Sequence, residues 1–108
     1  MKLNVVYMTA GSKEEAKKIG QVLVESKLAA CVNILDNMNA IYMWEGRLQD
    51  DRETVMIAKT TETRVPELIE KVKAMHSYAC PCIICLPIEN GNRAFLDWIA
   101  GEVNPNMS

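Results

Sequence analysis

The stretch Ala29-Ala30-Cys31-Val32-Asn33-Ile34-Leu35, followed after Asp36-Asn37 by Met38-Asn39-Ala40-Ile41-Tyr42-Met43-Trp44-Glu45, decides how this chain folds. Its first part is short and apolar, with the composition of a strand, and Asp36-Asn37 is a polar break. The apolar segment beyond the break turns near Gly46-Arg47 and returns from Leu48, past Asp50-Asp51, into Glu53–Thr61. Two long arms around a turn make a central hairpin. Extended, residues 29–45 would reach about 56 Å at ~3.3 Å per residue.

Elements alternate on either side of this hairpin. Upstream, Leu3-Asn4-Val5-Val6-Tyr7-Met8 reads as a strand that stops at Thr9-Ala10-Gly11. Ser12 stands three residues before Glu15, the spacing of a capping box, and Glu14 adds negative charge to the first turn of a helix over 13–26. Ala16, Ile19, Gly20 and Leu23 form the apolar face of that helix. Downstream, a second helix fits 64–76, with Pro66 in its first turn and Val65, Leu68, Ile69, Val72 and Met75 as its stripe. Cys82-Ile83-Ile84-Cys85-Leu86-Pro87-Ile88 is a nearly continuous apolar run, of the kind buried on both faces. After a turn at Asn90-Gly91-Asn92, a terminal helix carrying Ala94, Phe95, Trp98 and Ile99 ends near Gly101, and residues 104–108 are expected to be loose. The order β-α-β-β-α-β plus a C-terminal helix defines an α+β, ferredoxin-like (split βαβ) domain over residues 1–108.

Composition agrees with one globular domain. The 108 residues are 49% apolar and 24% charged, with 12 Lys+Arg against 14 Asp+Glu and a net charge of −2. Interspersed charge supplies neither the basic stripe of a nucleic-acid binder nor attraction to an anionic membrane. No apolar run reaches the ~18 residues of a spanning helix, and no signal peptide is evident at Met1-Lys2-Leu3-Asn4, so the expected compartment is the cytoplasm.

The hairpin is too long for one copy to cover, because a first helix of about 14 residues spans only about 21 Å of sheet. Either Asp36-Asn37 folds the arm back, or other copies of the chain bury Ile41, Tyr42, Trp44 and Leu48. A contiguous apolar patch favours the second reading, a cyclic homo-oligomer.

The chemistry-bearing residues are few. Of the four cysteines, Cys80, Cys82 and Cys85 crowd into six residues, so buried free thiols are the default and metal binding is the alternative. Cys80 and Cys82 point the same way in an extended stretch, whereas Cys82 and Cys85 face opposite sides of a strand. This parity argues against a zinc knuckle. His76, the single histidine, either complements the end of the second helix or ligates a metal. Glu45 and Asp50-Asp51 form either a carboxylate pair or a solvated turn. There is no nucleophile-histidine-acid pattern, phosphate loop or H-E-x-x-H, so an enzyme is not expected.

Several segments together carry a resemblance: Leu28-Ala29-Ala30-Cys31-Val32-Asn33-Ile34, Ile41-Tyr42-Met43-Trp44-Glu45-Gly46, Met56-Ile57-Ala58-Lys59-Thr60-Thr61, His76-Ser77-Tyr78, and Leu86-Pro87-Ile88 with Gly91-Asn92 and Phe95-Leu96-Asp97-Trp98-Ile99. In order and over nearly the whole chain, they resemble the CutA divalent-cation tolerance proteins. The resemblance implies a homotrimer similar in architecture to the PII signalling proteins, and a function in metal response with copper as the bound ion, not required for folding. It implies metal ligands at Met8, Met75 and His76, to which the spacing argument adds Cys80 and Cys82. A family glutamate after Pro81 is here Cys82, and Cys31 matches a recurrent family cysteine with a buried structural role. An alternative function is a PII-like sensor whose intersubunit clefts take a small molecule or a protein partner.

Overall fold

The computed structural model describes residues 2–104. Strand β1 (Leu3–Ala10) leads into helix α1 (Lys13–Glu25), then the hairpin of β2 (Cys31–Trp44) and β3 (Arg47–Thr61). A 3-10 turn over Glu62–Arg64 opens helix α2 (Val65–Met75), followed by β4 (Ile83–Ile88) and helix α3 (Arg93–Glu102). The strands form one antiparallel sheet in the order β2-β3-β1-β4. This is the expected ferredoxin-like arrangement with its extra C-terminal helix. Of residues 104–108, only Asn104 is described; its N–H reaches the Gly101 carbonyl at 3.4 Å. The expectation for 105–108 lies outside the described residues.

Strand parity builds the core. Val6, Met8 and Ala10 project to one face of β1, where they meet Ala16, Ile19 and Leu23 of α1, Leu68 and Val72 of α2, and Met56 and Ala58 of β3. Leu3 has the opposite parity. With Ile88, its partner across β1–β4, it carries α3 through Ile99 and Val103 on the other face.

Helix α1 begins as its sequence dictates: Ser12 Oγ accepts the Glu15 N–H at 3.1 Å. The return arm differs from a capping box, because Glu15 Oε1 accepts from Gly11 N–H at 3.2 Å. At the C-terminus Lys27 takes φ +61° and the Leu28 N–H bonds to the Leu23 carbonyl at 2.8 Å. No basic residue lies in the last turn of α1. Arg64 supplies one from across the chain, donating Nε to the Lys27 carbonyl at 3.0 Å and Nη2 to the Ser26 carbonyl at 3.3 Å.

The hairpin is continuous. Asp36-Asn37 is a β-bulge within β2, with Leu35 opposite Val55 and Met38 opposite Glu53, so two residues face the single Thr54. Asn37 adopts φ +65°, and Asp36 Oδ1 accepts from Asn37 N–H at 2.8 Å and from Thr54 Oγ1 at 2.9 Å. Arg52 also bonds Asn37. The break therefore does not fold the arm back. The tip is a two-residue turn at Glu45-Gly46, one residue earlier than the sequence suggested. Positive φ at both residues (+50° and +77°) matches the twist of the arms. The 14 residues of β2 at ~3.3 Å each span about 46 Å. The long axis of the molecule is comparable, at 45 Å against 26 and 21 Å for the others.

One expectation is corrected. β4 is an edge strand rather than one buried on both faces, with Ile84 and Leu86 more than half exposed. Pro87, which lacks an N–H, is tolerated at an edge. On α3, Ile99 is buried but Phe95 and Trp98 are exposed, because the helix turns Leu96, Ile99, Ala100 and Val103 inward.

Candidate functional site

The face of the sheet opposite α1 and α2 carries a cavity of about 760 Å³ between the hairpin and the loop that follows α2. Tyr7 and Thr9 of β1 form part of its floor. Met38, Tyr42 and Trp44 of β2, with Asp51 and Glu53 of β3, form one wall. Tyr78, Cys80 and Cys82 form the other.

Phenols and carboxylates are paired within it. Tyr42 donates its hydroxyl to Asp51 Oδ2 at 2.6 Å, and Tyr78 donates to Glu53 Oε2 at 3.0 Å. Burial, reinforced by Glu53, pushes the Tyr78 phenol up to about 12, so it remains a proton donor at neutral pH. The Tyr42 phenol is also raised, first by its bond to Asp51. Tyr7 directs its hydroxyl at Met38 Sδ, 3.6 Å away. No Lys, Arg or His lines the cavity, whereas two carboxylates do. Its charge suits a cation and repels phosphates or carboxylate ligands.

The five predicted metal ligands do not come together. Met8 is fully buried between the sheet and the helices, on the face away from the cavity, and Met75 packs against the same core. The His76 side chain is 1% exposed and both ring nitrogens are engaged. Nε2 lies 2.8 Å from the Thr9 carbonyl oxygen, which can only accept, so the proton sits on Nε2. Nδ1 then accepts the Tyr78 N–H at 3.0 Å. Strand and helix parity explains this separation, since residues close in sequence fall on opposite sides of the sheet. Among the described residues, no three His, Cys, Asp or Glu side chains are grouped to hold a metal ion. Only Cys80 and Cys82 of the predicted set reach the cavity.

All four cysteines are free. Burial pushes the Cys85 thiol up, and burial followed by the Glu53 charge does the same to Cys82. Cys85 packs on the core side and Cys82 lines the cavity, the opposite orientation expected from their spacing.

Glu15 braces the site from α1. Its Oε2 accepts the Ser77 N–H at 2.7 Å and its Oε1 the Ser77 hydroxyl at 3.1 Å. Its Oε2 also lies 3.8 Å from His76 Nδ1. Burial alone would raise this carboxyl. The bonds from Ser77 and Gly11, with the charge His76 carries when protonated, hold it below its ordinary value instead.

Sequence reasoning did not single out Tyr7, Met38, Glu53 or Tyr78, and it left Asp51 between a carboxylate pair and a solvated turn. The available signal was alternation along the hairpin arms, but the bulge hides their register.

This strand order, a hairpin twice the length its helices can cover and an acidic cavity at its base define a ferredoxin-like α+β protein with a projecting central hairpin. Residues 4–102 match the family model described as CutA1 divalent ion tolerance protein, and the chain belongs to that family. It is 47% identical over 95 residues to the divalent-cation tolerance protein CutA of Thermus thermophilus, covering 88% of this chain and 92% of that protein. It is 49% identical over 96 residues to the protein of the same name from Archaeoglobus fulgidus, covering 89% and 93%. Among solved structures, CutA1 of Oryza sativa superposes with a TM-score of 0.94 at 40% identity, covering 98% of this chain and 97% of the other. The periplasmic divalent cation tolerance protein CutA of Archaeoglobus fulgidus gives 0.91 at 47% identity, covering 94% and 99%.

Proposed function

We propose that this divalent-cation tolerance protein acts as a non-enzymatic homotrimer of PII-like build that binds copper or a related ion in the response to metal. The observation that carries the oligomer is the outer hairpin. Ile41, Met43, Trp44 and Leu48 are each more than half exposed in the protomer, and Tyr42 is 40% exposed. Ile41, Met43 and Leu48 lie on one face of the arm and Tyr42 and Trp44 on the other, and exposed apolar patches of this kind mark an interface. Cyclic symmetry lets the same patch be buried in every copy. Light scattering at micromolar concentration gives three times the protomer mass; a monomeric mass overturns the reading.

Metal response is supported by the family, by the acidic cavity and by the free thiols around it. Titration of the reduced, tag-free protein with Cu(I) and Cu(II) tests it, with saturable binding expected and no binding overturning it. The free cysteines also fit a reducing compartment such as the cytoplasm. No helix among the described residues is long and apolar enough to cross a membrane.

A second reading, a PII-like small-molecule sensor, draws on the size of the cavity. Its two carboxylates direct that reading toward organic cations rather than nucleotides. A saturable thermal shift with an organic ammonium compound and none with metal would favour it.

A further inference from the structure

We propose that Cys80 and Cys82 form a two-thiolate site for a soft, thiophilic cation, with cuprous copper as the ion that fits it best. The assignment rests on the metal-response reading above and names the site within it. Cys80 and Cys82 are separated by Pro81 alone, and both line the same cavity. Cys80 lies in the bend that leads toward β4 and Cys82 immediately precedes that strand, so the two thiols meet the cavity from either side of Pro81.

The other soft donors are placed elsewhere. Met8 is fully buried in the core, and Cys85 and Met75 pack against that core. Cys31 is opposite Lys59 at the start of β2 and is not part of the cavity wall. His76 uses both ring nitrogens within the protein.

The surroundings select the ion. Asp51 and Glu53 make the cavity acidic with no basic side chain to offset them, which draws in cations. Both carboxylates already accept phenol hydroxyls, so they are poorly placed to build the oxygen shell of a hard ion. Two thiols without a third or fourth ligand fail the tetrahedral requirement of structural zinc. Thiolates select Cu(I) among the biological transition metals, and that ion accepts a linear pair of sulfurs. Binding is written as two Cys–SH plus Cu(I) giving S–Cu–S, with both thiol protons released to solvent. No electron is transferred.

The test is an anaerobic titration of the reduced full chain with Cu(I), in competition with a chromogenic Cu(I) chelator. The expected result is one ion per protomer, a near-ultraviolet thiolate-to-copper absorption band, and release of two protons in weakly buffered indicator. C80S and C82A, made separately, each lower affinity by more than about 100-fold, the loss already seen when only supporting residues around a metal are removed. C85S and H76A keep wild-type affinity in molecules that remain folded by circular dichroism. Cys80 is exposed, so C80S retains the fold whatever becomes of C82A. Undiminished binding in C80S, or loss of the band in C85S, overturns the site and leaves the metal-response reading standing. Absence of any Cu(I) uptake by the wild-type protein overturns both.

Discussion

His76 donates its Nε2 proton to the carbonyl of Thr9 over 2.8 Å, tying the loop after α2 to the last residues of β1. Thr9 is buried, and the same imidazole accepts the Tyr78 N–H through Nδ1, so one ring satisfies two backbone groups. His76→Ala leaves the Thr9 carbonyl without this partner at a site with little access to water. The expected loss is about 2–4 kcal/mol, measured by urea unfolding. His76→Gln, which offers one donor and one acceptor on a longer stem, recovers part of it.

Glu15 makes stability depend on pH. Its folded-state carboxyl lies below the ordinary value, so the unfolded chain binds its proton more readily than the folded one. The stabilisation is present above the unfolded value, near 4.5, and is lost as pH falls through the lower folded value. Glu15→Gln therefore flattens the acid limb of a plot of melting temperature against pH. At pH 7 it costs about 1–2 kcal/mol, toward the low end of the ~1.5–3 kcal/mol of a hydrogen bond to a charged group, because the glutamine oxygen still accepts and solvent screens the charge.

Arg64 bridges Ser26 and Lys27 carbonyls at the end of α1, where the helix has no basic residue of its own. Arg64→Ala should lower stability by about 1–2 kcal/mol in chemical denaturation. Arg64→Lys should recover less than half of that, because a single ammonium does not reproduce the planar fork.

Met8→Ala opens a cavity where α1 and β3 meet β1, at a side chain with no exposed surface. The expected cost is about 2–5 kcal/mol. Cu(I) affinity of the folded variant stays at the wild-type level, which separates packing at Met8 from ligation.

Trp44 and Ile41 stand on opposite faces of the hairpin arm and are both more than half exposed. Trp44→Lys is expected to weaken assembly by about 2 kcal/mol or more per interface, as for a central aromatic anchor. Sedimentation should show dissociation at micromolar concentration while circular dichroism keeps its protomer signal.

Most of the fold was legible because apolar periodicity and turn chemistry agree along the chain. Ala16, Ile19, Gly20 and Leu23 are the buried face of α1, as their spacing requires. Ser12 caps that helix as its position relative to Glu15 requires. The face carried by α3 was not legible, since Phe95 and Trp98 are as apolar as the residues that the helix buries. The candidate site was less legible still. His76 stands four residues before Cys80, which suggests one cluster. The buried bond to Thr9 takes the histidine inward, while the chain beyond Tyr78 follows the cavity rim. Glu53 looks like one more solvated charge until the register of the hairpin sets it opposite Met38.

The bulge at Asp36-Asn37 also acts as a parity switch. It adds one residue to β2 without adding one to β3, so every side chain from Met38 to Trp44 is offset by one step relative to Cys31–Leu35. Removing a single residue there would preserve the hairpin and its composition. The tip would still hold Tyr42 opposite Gln49 and Trp44 opposite Arg47, so both would stay on the face of Asp51, while the positive-φ kink at Asn37 and the Asp36 bond to Thr54 would be lost. The extra residue therefore bends and twists the arm where it leaves the helices without changing which side chains enter the hollow, so it sets the angle at which the free half of the hairpin meets whatever encloses it.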